Sequence, residues 1–103
     1  FNPSATHRGL SSYLWKLEQP ASAVANEYFV GAINRVGIEE RVPGTRLKFI
    51  GTSQITSPDG EVLVRAGSKK EEARSVEIDP ARARGKRITP LNDIFKDRRT
   101  DLF

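Results

Sequence analysis

Residues 14–37, LWKLEQPASAVANEYFVGAINRVG, hold the longest periodic apolar pattern of the chain and then change period. Five residues recur at steps of three and four and therefore share one face of a helix: Leu14, Leu17, Ala21, Val24 and Tyr28. From Phe29 to Val36 the pattern becomes a nearly unbroken apolar run, as expected of a strand buried on both faces. The stretch predicts a helix followed by a buried strand. Such a pair cannot cover both faces of its strand, so other layers must come from elsewhere in the chain or from outside it.

Several residues predict where this helix begins, where it bends and which side chain makes outside contacts. Ser11 or Ser12 is a plausible N-cap. Pro20 falls inside the pattern, where it must kink the helix or begin a second one, because it lacks a donor and clashes with the preceding turn. Trp15 lies off the main apolar stripe. It is either a contact anchor or, as is more common, a partly buried surface residue.

The second half of the sequence predicts a hairpin and a third strand. Phe49–Thr56 and Glu61–Arg65 are strand patterns, and the turn at residues 57–60 (SPDG) joins them, since Pro fixes φ and Gly supplies a positive φ. Arg74–Ile78 alternates apolar and polar residues, which predicts a strand that is wet on one face.

The remaining segments are polar. Residues 38–48 are predicted to be a polar connection with its turn at Pro43 and Gly44. Asp79 and Pro80 form the N-cap and first residue of a short helix that Gly85 weakens or ends. Apolar residues within the last polar segment indicate docking onto another surface: Leu91, Ile94, Phe95, Leu102 and Phe103.

Composition limits the function classes. The chain has 103 residues, 37% apolar and 29% charged, which is ordinary for one globular domain. No apolar run approaches the roughly 20 residues that a membrane helix needs, so we expect no membrane partner. The absence of Cys is compatible with the cytosol, and we expect a cytoplasmic location. The net charge is +4, but acidic residues interleave with the basic ones, which favours a solvated surface over a nucleic-acid site. Without Met, the chain is expected to be a piece of a longer product.

The same counts restrict the chemistry. The chain has no Cys, so it carries neither a disulfide nor a thiolate nucleophile, and one His with no Cys gives no metal-ligand spacing. Ser4 and His7 have no acid nearby and no flanking nucleophile-elbow glycines. Phosphate-binding glycine loops are absent. We therefore predict no catalytic residue, no metal and no cofactor in this chain.

The first six residues, FNPSAT, are a candidate pocket wall. They predict a strand end that opens into a loop, because Pro3 pushes Asn2 toward an extended conformation. Small side chains let a ligand approach, and the Asn2 amide can orient it. Alternatively, Asn2 and Ser4 only hold the turn through hydrogen bonds from side chain to backbone.

Five blocks in order along the chain resemble the carbon-nitrogen hydrolase (nitrilase) superfamily: FNPSAT, YLWKLEQPA, AVANEYFVGAINRVG, FIGTSQITSPDGEVL and NDIFKDRRTDLF. Within it, the branches that look nearest are β-ureidopropionases and N-carbamoylputrescine amidases. The resemblance spans nearly the whole chain but only the C-terminal part of the family domain.

The resemblance implies an α+β fold, with residues 1–103 as the C-terminal part of a four-layer α-β-β-α sandwich. It also implies a Glu-Lys-Cys triad supplied upstream: Cys attacks the amide or ureido carbon, Glu transfers protons and Lys stabilises the oxyanion. The complete enzyme would hydrolyse an N-carbamoyl amine or N-carbamoyl-β-amino acid and release ammonia and carbon dioxide, whereas this chain alone would be inactive. The alternative is a non-catalytic oligomerisation or binding module.

By the same resemblance, Asn2, Pro3 and Ser4 inherit contact with a small amide or ureido substrate. The helix from Ser11 to Tyr28 and the tail from Asn92 to Phe103 resemble segments that pack across subunits, so a homo-oligomer is expected. The compact, basic Arg41–Lys48 segment departs from many relatives, and Ile50 stands where Tyr is frequent. Because of these departures, the resemblance does not indicate which chemical group the substrate carries on its amine side.

Overall fold

Four short strands form the sheet on which the rest of the chain is arranged. A computed structural model describes residues 1–9 and 12–102. Its elements, in chain order, are β1 (Asn2–Ser4), α1 (Leu14–Asn26), β2 (Val30–Asn34), β3 (Ile38–Val42), β4 (Thr45–Lys48), β5 (Gln54–Thr56), β6 (Val62–Arg65), a 3₁₀ helix (Pro80–Arg84), β7 (Arg87–Thr89) and β8 (Asn92–Asp93).

The main sheet has the order β1-β2-β5-β6. β1 runs parallel to β2, and the later pairs are antiparallel. A parallel pair needs a long crossover connection, and α1 provides it. Trp15 and Ala23 of α1 pack with Val30 and Ala32 of β2 to form the core. The helix followed by a strand that the sequence predicts is therefore present.

α1 covers one face of the sheet only. Val30, Ala32 and Asn34 point toward the helix side and are buried, whereas Ile33 is 55% exposed. Because neighbours across a ladder share a face, Pro3, Ile33, Ile55 and Val64 lie together on the other side, here called the open face. Burial of the β2 strand on both faces is therefore not achieved within this chain.

The face of α1 that packs on the sheet differs from the face that the apolar stripe predicts. Trp15, Gln19 and Ala23 are buried at four-residue spacing, whereas Leu17 of the stripe is 59% exposed. Trp15 is 3% exposed, and its Nε1 donates to the Thr52 carbonyl at 3.0 Å. The prediction of a surface Trp was wrong, because the large ring fills the layer and finds a buried acceptor.

The predicted helix start was also wrong at Ser12. Tyr13 is the N-cap and makes no side-chain capping bond, while Ser12 Oγ donates to the Gly9 carbonyl at 3.0 Å. Ser11 lies outside the described residues. Pro20 lies within α1, which continues to Asn26, so no second helix begins there.

The predicted hairpin is present but shorter. β5 keeps only Gln54–Thr56, because Gly51 and Thr52 have φ of 61° and 58° and interrupt the extended chain. Residues 38–48, predicted as a polar connection, form the β3-β4 hairpin, with the expected turn at Pro43 and Gly44.

The C-terminal segment departs most from expectation. Arg74–Ile78 is not a strand, because no described strand pairs with it. The short helix is confirmed as a 3₁₀ helix, with the Asp79 side chain accepting from the Ala81 N–H at 2.9 Å.

The tail beyond this helix forms the small β7-β8 hairpin, which the sequence did not predict. Leu91 is 90% exposed, and Phe95 and Leu102 are exposed too, so their expected docking does not occur on this chain. Phe103 is outside the described residues. Within residues 1–9 and 12–102, no helix combines the length and apolarity needed to cross a bilayer.

Candidate functional site

The three predicted site residues form β1 and lie beside β2. Asn2 is opposite Ala32, Pro3 opposite Ile33 and Ser4 opposite Asn34. Side chains alternate along a strand, so Asn2 and Ser4 share the helix side of the sheet and Pro3 lies on the open face. The structure thus separates Pro3 from the other two.

A cleft of about 510 Å³ lies between the start of β1 and α1. Its lining is formed by Phe1, Asn2, Gln19, Ser22, Tyr28, Phe29 and Val30. Gln19 is buried, whereas Asn2 is exposed at the rim. A volume of this size admits a small molecule, and the amides of Asn2 and Gln19 can orient one. Sequence reasoning missed Gln19, although its four-residue spacing from Trp15 and Ala23 places it on their face.

Ser4 contacts the loop that follows β1. Its Oγ lies 3.0 Å from Thr6 Oγ1, so the two hydroxyls share a hydrogen bond. This contact agrees with the alternative in which Ser4 holds the turn, but its partner is a side chain rather than the backbone.

Asn34 holds the end of β1 and was missed by sequence reasoning. Its side-chain Oδ1 accepts from the Thr6 N–H at 2.8 Å, and its Nδ2 donates to the Thr6 carbonyl at 3.3 Å and the Gly51 carbonyl at 3.0 Å. Asn34 is 8% exposed, so these bonds form away from water. The sequence signal is a polar amide at the end of an apolar run, where a buried amide requires partners.

Among the described residues, every carboxyl group with a clear pKa shift has its pKa lowered. The hydrogen bond from Arg41, together with Arg35, holds the pKa of Glu39 below its ordinary value. Hydrogen bonds from the Lys96 and Phe95 N–H groups likewise lower the pKa of Asp93. A catalytic base working near neutral pH needs a raised carboxyl pKa, so the lowered pKa values of Glu39 and Asp93 do not suit that role.

Other catalytic arrangements are not assembled either. His7 Nδ1 lies 2.8 Å from the Arg8 carbonyl oxygen, which engages that ring nitrogen locally. No group of three His, Cys, Asp or Glu residues within 1–9 and 12–102 is arranged to hold a metal ion.

Comparison with known proteins identifies the family of this chain. The profile described as "Carbon-nitrogen hydrolase" matches residues 1–88. The chain belongs to the carbon-nitrogen hydrolase family. The resemblance found in the sequence blocks is thereby confirmed.

Curated relatives carry several activity names. A protein named "Nitrilase" from Pyrococcus abyssi is 48% identical over 84 residues, covering 82% of this chain and 30% of the relative. A "Beta-ureidopropionase" from Arabidopsis thaliana is 59% identical over 39 residues, covering 38% and 10%. An "N-carbamoylputrescine amidase" from the same plant is 33% identical over 92 residues, covering 86% and 30%. The chain thus spans about a third or less of the length of these relatives.

Solved structures agree on the fold. A CN-hydrolase superfamily protein of Xanthomonas campestris aligns with a TM-score of 0.66 at 26% identity, covering 82% of this chain and 31% of that protein. A carbon-nitrogen hydrolase of Helicobacter pylori G27 aligns with a TM-score of 0.53 at 28% identity, covering 67% and 27%. The mixed arrangement of helix and sheet is therefore that of a carbon-nitrogen hydrolase.

Proposed function

We propose that this chain is the C-terminal part of a thiol amidohydrolase that acts on an N-carbamoyl amine or N-carbamoyl-β-amino acid. One water molecule converts the ureido group into the free amine, carbon dioxide and ammonia. The observation that carries the proposal is the family match over residues 1–88, which includes the β1 wall. Two of the matching relatives are named for ureido or N-carbamoyl compounds.

The reactive groups of this enzyme come from a segment outside the 103 residues. The chain has no Cys, and it spans 30% of the nitrilase and N-carbamoylputrescine amidase relatives. A Glu-Lys-Cys set from that segment supplies the nucleophile, the proton transfer and the oxyanion contact. Because a free thiol persists in a reducing compartment, we place the enzyme in the cytoplasm.

The open face of the sheet supports a second layer. Ile33, Ile55 and Val64 lie side by side there, and Ile33 is largely exposed. Face-to-face packing of two sheets buries rows of this kind. In the proposed four-layer α-β-β-α sandwich, a second sheet covers this face and α1 remains outside.

The β1 wall suits a ureido substrate. A ureido group presents a carbonyl acceptor and N–H donors in one plane, and the Asn2 amide offers the complementary donor and acceptor. Pro3 and Ser4 extend the wall, one toward the open face and one toward the helix side. Contact of all three residues with substrate stays a prediction.

A second copy of the chain is the proposed protein partner. Leu17 in α1, Tyr13 at its N-cap and Tyr28 just beyond its end are exposed, and the tail exposes Leu91 and Phe95. Exposed apolar groups on one helix and one tail fit an interface between subunits. The helix contact, from Ser11 to Tyr28, is tested by the oligomeric state of wild type and of Leu17→Glu. The tail contact, from Asn92 to Phe103, is tested in the same way by Phe95→Glu.

Ammonia release tests the proposal. The 103-residue chain and the same chain joined to its natural upstream sequence are assayed with N-carbamoyl-β-alanine, N-carbamoylputrescine, a simple amide and a nitrile. We expect activity only from the joined protein, preference for an N-carbamoyl substrate, and complete loss after thiol alkylation. Ammonia release by the 103-residue chain would contradict the claim that the thiol nucleophile comes from another segment. If the joined protein hydrolysed the nitrile and none of the other substrates, the proposed substrate class would be wrong.

The alternative function is a non-catalytic oligomerisation or binding module. The absence of Cys from the chain favours it. In that case the joined protein contains no Glu-Lys-Cys set, releases no ammonia from any of the four substrates, and still forms oligomers.

A further inference from the structure

The Asn34 side chain bonds to the backbone just beyond the end of β1, where the ladder with β2 has ended. The parallel ladder between β1 and β2 ends at the pair Ser4 and Asn34. Two residues further on, the Thr6 N–H and carbonyl both bond to the Asn34 side chain, at 2.8 Å and 3.3 Å. The Thr6 carbonyl also accepts from the Ile50 N–H at 3.1 Å. The Asn34 amide is thus the partner of the Thr6 N–H and one of two partners of the Thr6 carbonyl, beyond the end of the β1-β2 ladder.

The same side chain joins β1 to a second constrained segment. Its Nδ2 also donates to the Gly51 carbonyl at 3.0 Å. Gly51 and Thr52 are both left-handed, and a Cβ on Gly51 would lie 2.8 Å from the Gly67 carbonyl oxygen, so this segment has little freedom to shift. Trp15 Nε1 fixes the Thr52 carbonyl from the helix side. Asn34 therefore joins the end of the three-residue strand β1 to a conformationally constrained turn.

The connection reaches the predicted site through hydroxyls. Thr6 Oγ1 is 3.0 Å from Ser4 Oγ, and Ser4 is two residues from Asn2 at the cleft. The Asn34 side chain donates two hydrogen bonds through Nδ2 and accepts one through Oδ1. Its amide orientation is therefore unambiguous, because only the nitrogen can donate to the two carbonyls. No other amino acid of this size supplies both functions.

We propose that Asn34 is a positioning residue that holds the Asn2–Ser4 wall in the geometry that binds substrate. This inference rests on the proposed function. Asn34 contacts Thr6, which follows the wall, and acts on the wall rather than on the substrate. Its expected kinetic signature is an effect on substrate binding, because the bond-breaking groups come from another segment.

The kinetic experiment compares Asn34→Asp with Ser53→Ala in the joined enzyme. Asn34→Asp keeps the acceptor for the Thr6 N–H but turns a carboxylate toward two carbonyls. Ser53→Ala removes the bonds at 2.9 Å and 3.2 Å to the Asn34 backbone and leaves the Thr6 bonds intact. We expect KM for the N-carbamoyl substrate to rise about tenfold in Asn34→Asp, with kcat within about threefold, as for loss of a buried hydrogen bond. Ser53→Ala should leave KM within about twofold.

The split between KM and kcat separates positioning from simple stability. If Asn34 only stabilises the fold, Asn34→Asp lowers the active fraction, so kcat falls while KM stays constant, and the inference fails. If Asn34→Asp does not fold, Thr6→Val is measured instead, because it removes the hydroxyl that bonds to Ser4 and leaves Asn34 unchanged. A KM rise of about threefold in Thr6→Val supports the inference, and an unchanged KM overturns it.

Hydrogen exchange tests the anchor without relying on catalysis. Peptides covering residues 2–9 and 54–65 are compared in wild-type and Asn34→Ala protein. We expect exchange at Thr6 to accelerate at least about tenfold while β5 and β6 stay protected. Equal acceleration in both peptides overturns the inference. If wild-type enzyme hydrolyses none of the substrates, the proposed function fails, whereas this exchange result still decides whether the anchor exists.

Discussion

Residues 1–65 and residues 66–102 differ in how sequence pattern becomes structure. The first region contains the whole core, including Trp15, Ala23 and Phe49. Of the described residues from 66 onward, none is buried. Of the predicted strand Phe49–Thr56, residues 54–56 (QIT) form β5, where β2 and β6 flank them. The alternating pattern at Arg74–Ile78 forms no strand. A pattern becomes a strand only where a neighbour completes its ladder.

The largest expected difference between the regions is the cost of removing an aromatic ring. Trp15→Ala leaves a cavity and an unpaired Thr52 carbonyl, so it should lower the free energy of unfolding by about 3–5 kcal/mol. Phe95→Ala, in the exposed tail, should cost about 0.5 kcal/mol or less. Urea unfolding of the joined protein measures both. Equal losses would remove the distinction between the two regions.

Limited proteolysis tests the unpaired segment directly. No described backbone amide in residues 69–78 donates to a backbone carbonyl. Trypsin should therefore cut the 103-residue chain after Lys69, Lys70 or Arg74 at least about tenfold faster than after Arg35, which directly follows β2. Initial cleavage at Arg35 would contradict this order. Protection of Arg74 in the joined enzyme alone would show that the predicted strand forms once a neighbour is present.

One side chain connects the two regions across the end of α1. Lys86 Nζ donates to the Asn26 carbonyl at 3.1 Å and the Glu27 carbonyl at 2.7 Å, where helix carbonyls lack partners. Lys86→Met should cost about 1–2 kcal/mol in the free energy of unfolding. Lys96→Met, in the exposed tail, is the control and should cost less than about 0.5 kcal/mol. Similar losses in the free energy of unfolding for the two variants would mean that Lys86 does not stabilise the contact between the C-terminal region and the end of α1.

The smallest expected effect is a pH dependence within the C-terminal region. The hydrogen bond from the Gly67 N–H, with Arg74 second, holds the pKa of Glu72 below its ordinary value of 4.5. The contact therefore stabilises the loop above that ordinary value and is lost as pH falls through the lower folded value. The Gly67 amide resonance should shift in this acidic range. It should stay constant in Glu72→Gln, and a shift persisting there would exclude Glu72 as its source.

The site shows the same division between pattern and context. Asn2 lies at a cleft, as a pocket wall requires, but Pro3 faces the opposite side of the sheet. Local spacing could predict the strand and its alternation. It could not predict the partners of the Asn34 amide, because they are 17 and 28 residues away.

The order of amino acids was enough to establish the family, the helix followed by a strand, the β5-β6 hairpin and the lack of a thiol nucleophile. The family follows from the resemblance of five sequence blocks to its known members. The other features follow from local periodicity, turn chemistry and composition, which need no knowledge of distant neighbours. Folding was needed to choose Trp15 over Leu17 for the core, to pair residues 38–48 as a hairpin and to leave Arg74–Ile78 unpaired. Those outcomes depend on which surfaces meet, and the free energy of burial and pairing belongs to both partners at once.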